Sequence, residues 1–184
     1  MPKQKINEQI FALRPFSPSS YFTDLQIRGK IVRHSNKMVI LYALLGHLSD
    51  IIIQTPSAMP VRKTALWEET CFELFLAFVG SSRYWEFNLS PSGDWNVYRF
   101  DSYRQGIQEE LTFTSLPVSV LNKSHSLLLS LEFNLDRIGQ ANQTMEVAIS
   151  AVIKHKDDGV SYWALTHSGP QVDFHKRDSF IIEL

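Results

Sequence analysis

Residues 84–100 read YWEFNLSPSGDWNVYRF. At the centre, Ser90-Pro91-Ser92-Gly93 is a turn signal. Proline fits the second position of a type I turn, and glycine supplies the left-handed residue that follows. The predicted connection is a three-residue hairpin loop with a bulge at Gly93. It sets Ser90 opposite Asp94, Leu89 opposite Trp95, Asn88 opposite Asn96, Phe87 opposite Val97 and Glu86 opposite Tyr98. Because side chains alternate across a strand, this register sends Trp85, Phe87, Leu89, Trp95 and Val97 to one face. Tyr84, Glu86, Asn88, Asn96 and Tyr98 go to the other. A slip of one residue would mix the two sets. The first face is core. The second reads as a polar sheet surface, rich in amides and phenols where an outward antiparallel face is ordinarily solvated.

Outward from the hairpin, residues 70–79 (TCFELFLAFV) alternate between two rows that are both largely apolar. Glu73 stands in the row of Cys71, Phe75 and Ala77, so it is a carboxylate on a strand buried on both faces. Burying a carboxylate is costly unless it is paired or hydrogen-bonded. Arg99 and Arg104 are the expected partners, and the competing reading is a purely structural ion pair. Residues 100–106 place Asp101, Tyr103 and Arg104 in quick succession. Arginine offers a planar donor fork for carboxylates or vicinal hydroxyls, and tyrosine a face and a hydroxyl. The bland alternative is an edge loop tied down by a Tyr–Asp or Arg–Asp contact.

The same rhythm runs through the rest of the chain. Strand-like segments fall at residues 9–13, 23–34, 38–45, 50–54, 70–79, 83–90, 94–100, 111–121, 124–133, 144–154, 161–164 and 180–183. One helical turn is expected at 135–140, capped by Asn134 or Asp136. Many short strands with tight turns predict an all-β fold, a two-sheet antiparallel β-sandwich of jelly-roll type, formed by residues 1–184 as a single domain. Residues 56–69 break the rhythm with a connection long for a compact domain, carrying Arg62, Lys63 and Trp67. Either the loop covers one end of the sandwich with Trp67 as its plug, or it presents Trp67 to a ligand.

Composition excludes several classes. Net charge is −1 and the basic residues are scattered, so the footprint of a nucleic-acid binder is missing. No stretch approaches a membrane span, and residues 1–11 lack the apolar run of a secretion signal; a cytoplasmic protein is expected. The single cysteine, Cys71, leaves no disulfide framework and sits in an apolar strand where a thiol is usually inert packing. No phosphate loop, nucleophile elbow or dinucleotide fingerprint is present, and no cofactor is expected. A second polar concentration, at residues 163–175, contains His167, Asp173 and His175. Its spacing matches no metal motif, so hydrogen bonds pinning a loop to the sheet are the favoured reading over metal ligation.

The segments LWEETCFELFLA, YWEFNLSPSGDWNVYRFDSYRQG and YWALTHSGPQVDFHKRDSF resemble the bacterial DOMON-like domains, some of whose relatives are fused to the cell-wall reductase MurB. That group is related to family 9 carbohydrate-binding modules and to DOMON domains that bind haem or sugars. The resemblance spans most of the chain from about residue 10. Val172 stands where the group usually has proline before Asp-Phe-His. It implies a ligand-binding sandwich rather than a defined activity, with Trp67 and Glu73 at the ligand side. Haem fits this chain less well than sugar, since no axial methionine–histidine pair is identifiable.

The expectation is a non-catalytic module for a carbohydrate or other polyhydroxylated small molecule. Its candidate site residues are Trp67, Glu73, Glu86, Asn88, Asn96, Tyr98, Arg99, Tyr103, Arg104, His167, Asp173 and His175. The alternatives are an enzyme using Glu73 with His167 or His175 as acid–base groups, and a protein-interaction domain. A glycosidase built on Glu73 and Glu86 would need a defined carboxyl separation that sequence does not supply.

Overall fold

The central hairpin forms in the expected register. Leu89 pairs with Trp95, Asn88 with Asn96, Phe87 with Val97 and Glu86 with Tyr98. The turn closes through the Gly93 amide to the Ser90 carbonyl and the Ser90 amide to the Asp94 carbonyl, both at 2.9 Å. Gly93 has φ 89°, the left-handed backbone that its glycine was expected to supply.

The computed structural model describes residues 6–17, 24–139 and 143–184. Within them the strands are β1 (Ile6–Ala12), β2 (Arg14–Pro15), β3 (Gln26–His34), β4 (Lys37–Leu45), β5 (Cys71–Phe78), β6 (Tyr84–Leu89) and β7 (Trp95–Phe100). They continue as β8 (Gln108–Glu109), β9 (Ser119–Lys123), β10 (Ser126–Asn134), β11 (Met145–Lys154), β12 (Val160–Ala164) and β13 (Ile182–Glu183). One sheet runs β1-β3-β4-β10-β9. The other runs β2-β12-β11-β5-β6-β7-β8, with β13 added beside β11. These strand pairs are antiparallel, and the fold is an all-β two-sheet sandwich.

Ile31, Ile40, Tyr42, Leu44, Leu127 and Leu129 of the first sheet meet Phe72, Leu74, Leu76, Phe87, Val97 and Ile149 of the second. The two sheets differ in what lies behind them. β4 and β10 alternate buried with partly exposed residues, as a one-sided sheet should. Every residue of β5 and β6 is buried. The doubly apolar sequence of β5 therefore finds cover on both faces, and a second apolar cluster forms behind the sheet from Phe75, Ala77, Tyr84, Tyr98, Phe100, Ala148 and Phe180.

This corrects the reading of the hairpin's second face. Tyr84, Glu86, Asn88, Asn96 and Tyr98, expected on a polar sheet surface, are all buried. The chain after β12, the 3-10 turn Leu66–Glu68 and the turn after β7 lie over them.

Other expectations shift as well. Of residues 50–54, only Ile51 bridges, to His155. Residues 111–118 are not strand, because Phe113 and Leu116 reach the core as separate anchors without alternation between them. The helical turn is a 3-10 turn at Leu135–Arg137 with no side-chain cap from Asn134. Residue 23 of one expected strand and residue 140 of that turn lie outside the described residues.

Candidate functional site

Behind the second sheet an open cavity of about 450 Å³ is floored by strands β5, β6, β7 and β11. Glu73 and Glu86 form its floor. Glu73 pairs with Asn88 across β5–β6, so Glu86 is its diagonal neighbour on the same face. Glu73 is answered by a hydroxyl rather than by the expected arginine. Ser150 on β11 donates to Glu73 Oε2 at 2.8 Å, and the Asn88 amide donates to Glu86 Oε1 at 2.8 Å. Burial pushes the Glu73 carboxyl above its ordinary range and the nearby charge of Glu86 adds to this, while the Ser150 bond opposes it. Burial raises Glu86 too, against the bond from Asn88 and the charge of Arg104. Two like charges this close in a desolvated floor do not both ionise readily, so they titrate as a pair.

His175 closes one side of the cavity, its ring edge-on to Phe75 and Phe100 at 5.2 Å centroid separations. Tyr84 Oη accepts the Arg104 backbone amide at 3.2 Å and lies 2.9 Å from His175 Nδ1. The arrangement suits the tautomer in which Tyr84 donates to Nδ1 and the ring carries its proton on Nε2, facing Glu86 Oε2. That last separation is 3.7 Å, too long for a hydrogen bond. Burial drops the His175 pKa to about 4, aided by Arg104 and opposed by Asp173. The contact is thus a neutral imidazole near a carboxyl, not an ion pair.

Arg104 arrives from the turn after β7 with φ 54°, a left-handed backbone uncommon for arginine. Its guanidinium donates to Asp173 Oδ1 at 2.9 Å, and Tyr103 donates to Asp173 Oδ2 at 2.5 Å. Burial would raise Asp173, but these two bonds hold its carboxyl below the usual range. The turn and the C-terminal segment are locked together by this junction.

Trp67 is the rim. Ala65, in a left-handed conformation at φ 57°, turns the chain into the 3-10 turn. Leu66 is buried as the plug and Trp67 stays 42% exposed, its ring 5.8 Å from that of Tyr98. The rest of the long loop is held by Arg62 rather than offered to a ligand. Arg62 Nη1 donates to Asn96 Oδ1 at 2.6 Å, and Nη2 to the carbonyls of Glu110 and Phe113 at 3.0 and 2.6 Å. Its guanidinium carbon sits 4.4 Å from the Trp95 ring centroid.

The cavity thus gathers Trp67, Glu73, Glu86, Arg104, Asp173 and His175. Asn88, Tyr98 and Tyr103 support it from behind or beside. Asn96 is fully buried and ties the loop to the sheet through Arg62 and Lys63. Two expected residues do not come to it. Arg99 pairs with Trp85, on the opposite face from Glu86 and Tyr98, and donates to Gln108 at 2.9 Å. His167 bonds the Arg14 carbonyl at 2.8 Å and packs against Phe16 outside the cavity, which separates it from Asp173 and His175. Among the described residues no three histidine, cysteine or acidic side chains group as metal ligands.

Sequence reasoning missed the wall: Phe100, Ile107, Val152, Tyr162, Val172 and Phe174. It also missed Ser150. That residue is the lone hydroxyl in the apolar run MEVAISAVIK, which was the available signal.

Fold and cavity together define a β-sandwich with a mixed aromatic and acidic cavity behind one sheet. No family model matches the chain, and no curated protein does. Among solved structures it is similar to a Bacteroides uniformis protein proposed to bind carbohydrate, with a TM-score of 0.68 and 14% identity, covering 93% of this chain and 83% of that one. A family 9 carbohydrate-binding module from Caldicellulosiruptor kristjanssonii, in complex with glucose or with cellotriose, aligns with a TM-score of 0.48 at 11% identity. That alignment covers 85% of this chain and 73% or 72% of the module. No helix among the described residues is long and apolar enough to cross a membrane.

Proposed function

We propose that this chain is a non-catalytic binding module of the DOMON-like type, formed as one domain, whose cavity takes a sugar or another small polyhydroxylated ligand. The observation that carries the reading is the convergence of a half-exposed tryptophan, two buried carboxyls and an arginine on one open cavity. Pockets for small molecules combine apolar walls with a few placed polar groups in this way. Trp67 supplies a stacking face; Glu73, Glu86 and Arg104 supply directional hydrogen bonds to hydroxyls. The similarity to the Bacteroides uniformis protein supports the same reading.

The test is intrinsic tryptophan fluorescence and melting temperature against neutral, amino and acidic sugars. A saturable shift that Trp67→Ala removes is expected. No shift with any sugar would overturn the proposal.

One observation favours a second reading. Carboxyls pushed upward by burial and by each other suit proton transfer near neutral pH, so the Glu73–Glu86 pair would also serve an acid–base enzyme. Turnover of any glycoside that is lost in Glu86→Gln would favour it over simple binding.

A further inference from the structure

Two carboxylate oxygens in the cavity make no hydrogen bond to the described residues. Ser150 takes Glu73 Oε2 and Asn88 takes Glu86 Oε1, leaving Glu73 Oε1 and Glu86 Oε2 without a hydrogen bond among the described residues. Both residues line the cavity, yet they are only 3% and 5% exposed. Neither oxygen is sealed inside the protein: both open onto the cavity, where a ligand's donors can reach them.

The surroundings decide what kind of donor. The arginine lining the cavity, Arg104, is already engaged by Asp173. His175 faces Glu86 from the C-terminal segment as a neutral ring. Cys71 and Tyr42, whose charges would also act on Glu73, are kept neutral by burial. Tyr84 and Tyr98, which face Glu86, are likewise held in their neutral forms by burial. Arg104 is shared with Asp173 and only partly offsets Glu86, so the glutamate pair keeps a proton in place of a dedicated cation. The walls meanwhile carry the rings of Trp67, Phe100, Tyr162 and Phe174, whose faces attract a cation.

We propose that the ligand carries a protonated amine, and that its ammonium sits between Glu73 Oε1 and Glu86 Oε2. Resting on the sugar-site reading above, the ligand class is an amino sugar with a free amine. An acetylated amine offers neither the charge nor the spare donors. The ammonium takes the place of the proton that the glutamate pair holds, so binding releases that proton. Affinity therefore rises with pH as the pair ionises and falls once the ligand's own amine deprotonates.

Calorimetry near neutral pH, in two buffers of different ionisation enthalpy, compares glucose, glucosamine and N-acetylglucosamine. Glucosamine is expected to bind about tenfold or more tighter than glucose, as a charge-assisted pair should, and to release a proton where glucose releases none. Glu86→Gln should cost glucosamine far more than glucose; Glu73→Gln serves as a second variant, with melting curves to establish folding. Equal or tighter binding of glucose or N-acetylglucosamine, or a glucosamine preference that survives both variants, overturns the proposal. If no sugar binds but cyclohexylamine does, in a Glu86-dependent way, the sugar reading fails and the ammonium site stands. Silence with all four overturns both.

Discussion

The hydroxyl of Tyr84 lies 2.9 Å from Nδ1 of His175, two residues 91 positions apart. The contact holds the imidazole beside a carboxyl, and burial there takes its pKa to about 4, which keeps the ring neutral. An unfolded histidine takes its proton at about pH 6.5, so between the two values the unfolded chain binds more protons. The stability contributed by a neutral His175 is therefore complete above about pH 6.5 and is lost as pH falls towards 4. Glu73 and Glu86 act in the opposite sense over part of that range. The measurement must accordingly be a difference between the wild type and His175→Asn. That difference should shrink by on the order of 2–3 kcal/mol between neutral and acid pH. NMR titration of the imidazole should show a midpoint near pH 4; a midpoint near the unfolded value would falsify the assignment.

The glutamate pair gives the reverse signature. A carboxyl raised in the folded state binds its proton more tightly there than when unfolded, so it favours folding at low pH. That contribution is lost as pH rises through the raised folded value. Melting temperature should therefore fall as the wild type is taken from slightly acid to alkaline pH. Glu73→Gln should flatten the fall, because the amide keeps a partner for Ser150 without a charge. At about 2–4 °C per kcal/mol for a chain of this size, the effect is large enough to follow by scanning calorimetry. Parallel curves for the two proteins would mean that Glu73 is not desolvated.

What sequence could tell about this architecture depended on how local the signal was. The register of β6 and β7 followed from four residues, Ser90 to Gly93, because turn chemistry fixes pairing. The double burial of β5 followed from its two apolar rows. Its cover did not, because that cover comes from Phe174 and Phe180 about 100 residues later, in a segment without strand periodicity. For the same reason Glu86 and Asn88 read as part of a polar sheet surface: alternation shows that two faces differ, not that the polar one is open.

Arg99 illustrates a different limit. It was proposed for Glu73 on charge alone, although the register already placed it in the row of Trp85, facing away. Arg104, in an irregular turn, had no register to consult. Its position depends on a left-handed backbone and on Asp173, 69 residues away. His167 and His175 looked equivalent in sequence and part ways because only the latter is drawn under the Tyr84 and Phe100 rings.

Arg62 should be a stability residue rather than a ligand residue. Replacing it with alanine strips partners from Asn96 Oδ1 and from the Glu110 and Phe113 carbonyls, and removes the stack on Trp95. Lost charged hydrogen bonds and a cation–π contact together predict a cost on the order of 3 kcal/mol. Urea unfolding should show a lower midpoint with an unchanged slope. Arg62→Lys should recover only part of the loss, because an ammonium cannot span three acceptors and lie flat on the indole.

Asp173 should hold the C-terminal segment over the cavity. Its carboxylate accepts from Tyr103, from Arg104 and from the His175 backbone amide at 3.1 Å, joining two stretches that share no strand pairing. Both donor side chains are about half exposed, so the junction is worth less than a buried network: Asp173→Ala should cost about 1–2 kcal/mol. The more specific consequence is local. The His175 amide loses its acceptor, and the segment carrying His175 loses its link to the turn at Arg104. Hydrogen exchange at residues 172–176 should therefore accelerate in Asp173→Ala while the β5–β6 amides keep their protection. Tyr103→Phe should produce a smaller version of the same pattern, and combining the two should add little, since they remove the same bond. Uniform acceleration across both sheets would instead make Asp173 a contributor to global stability only.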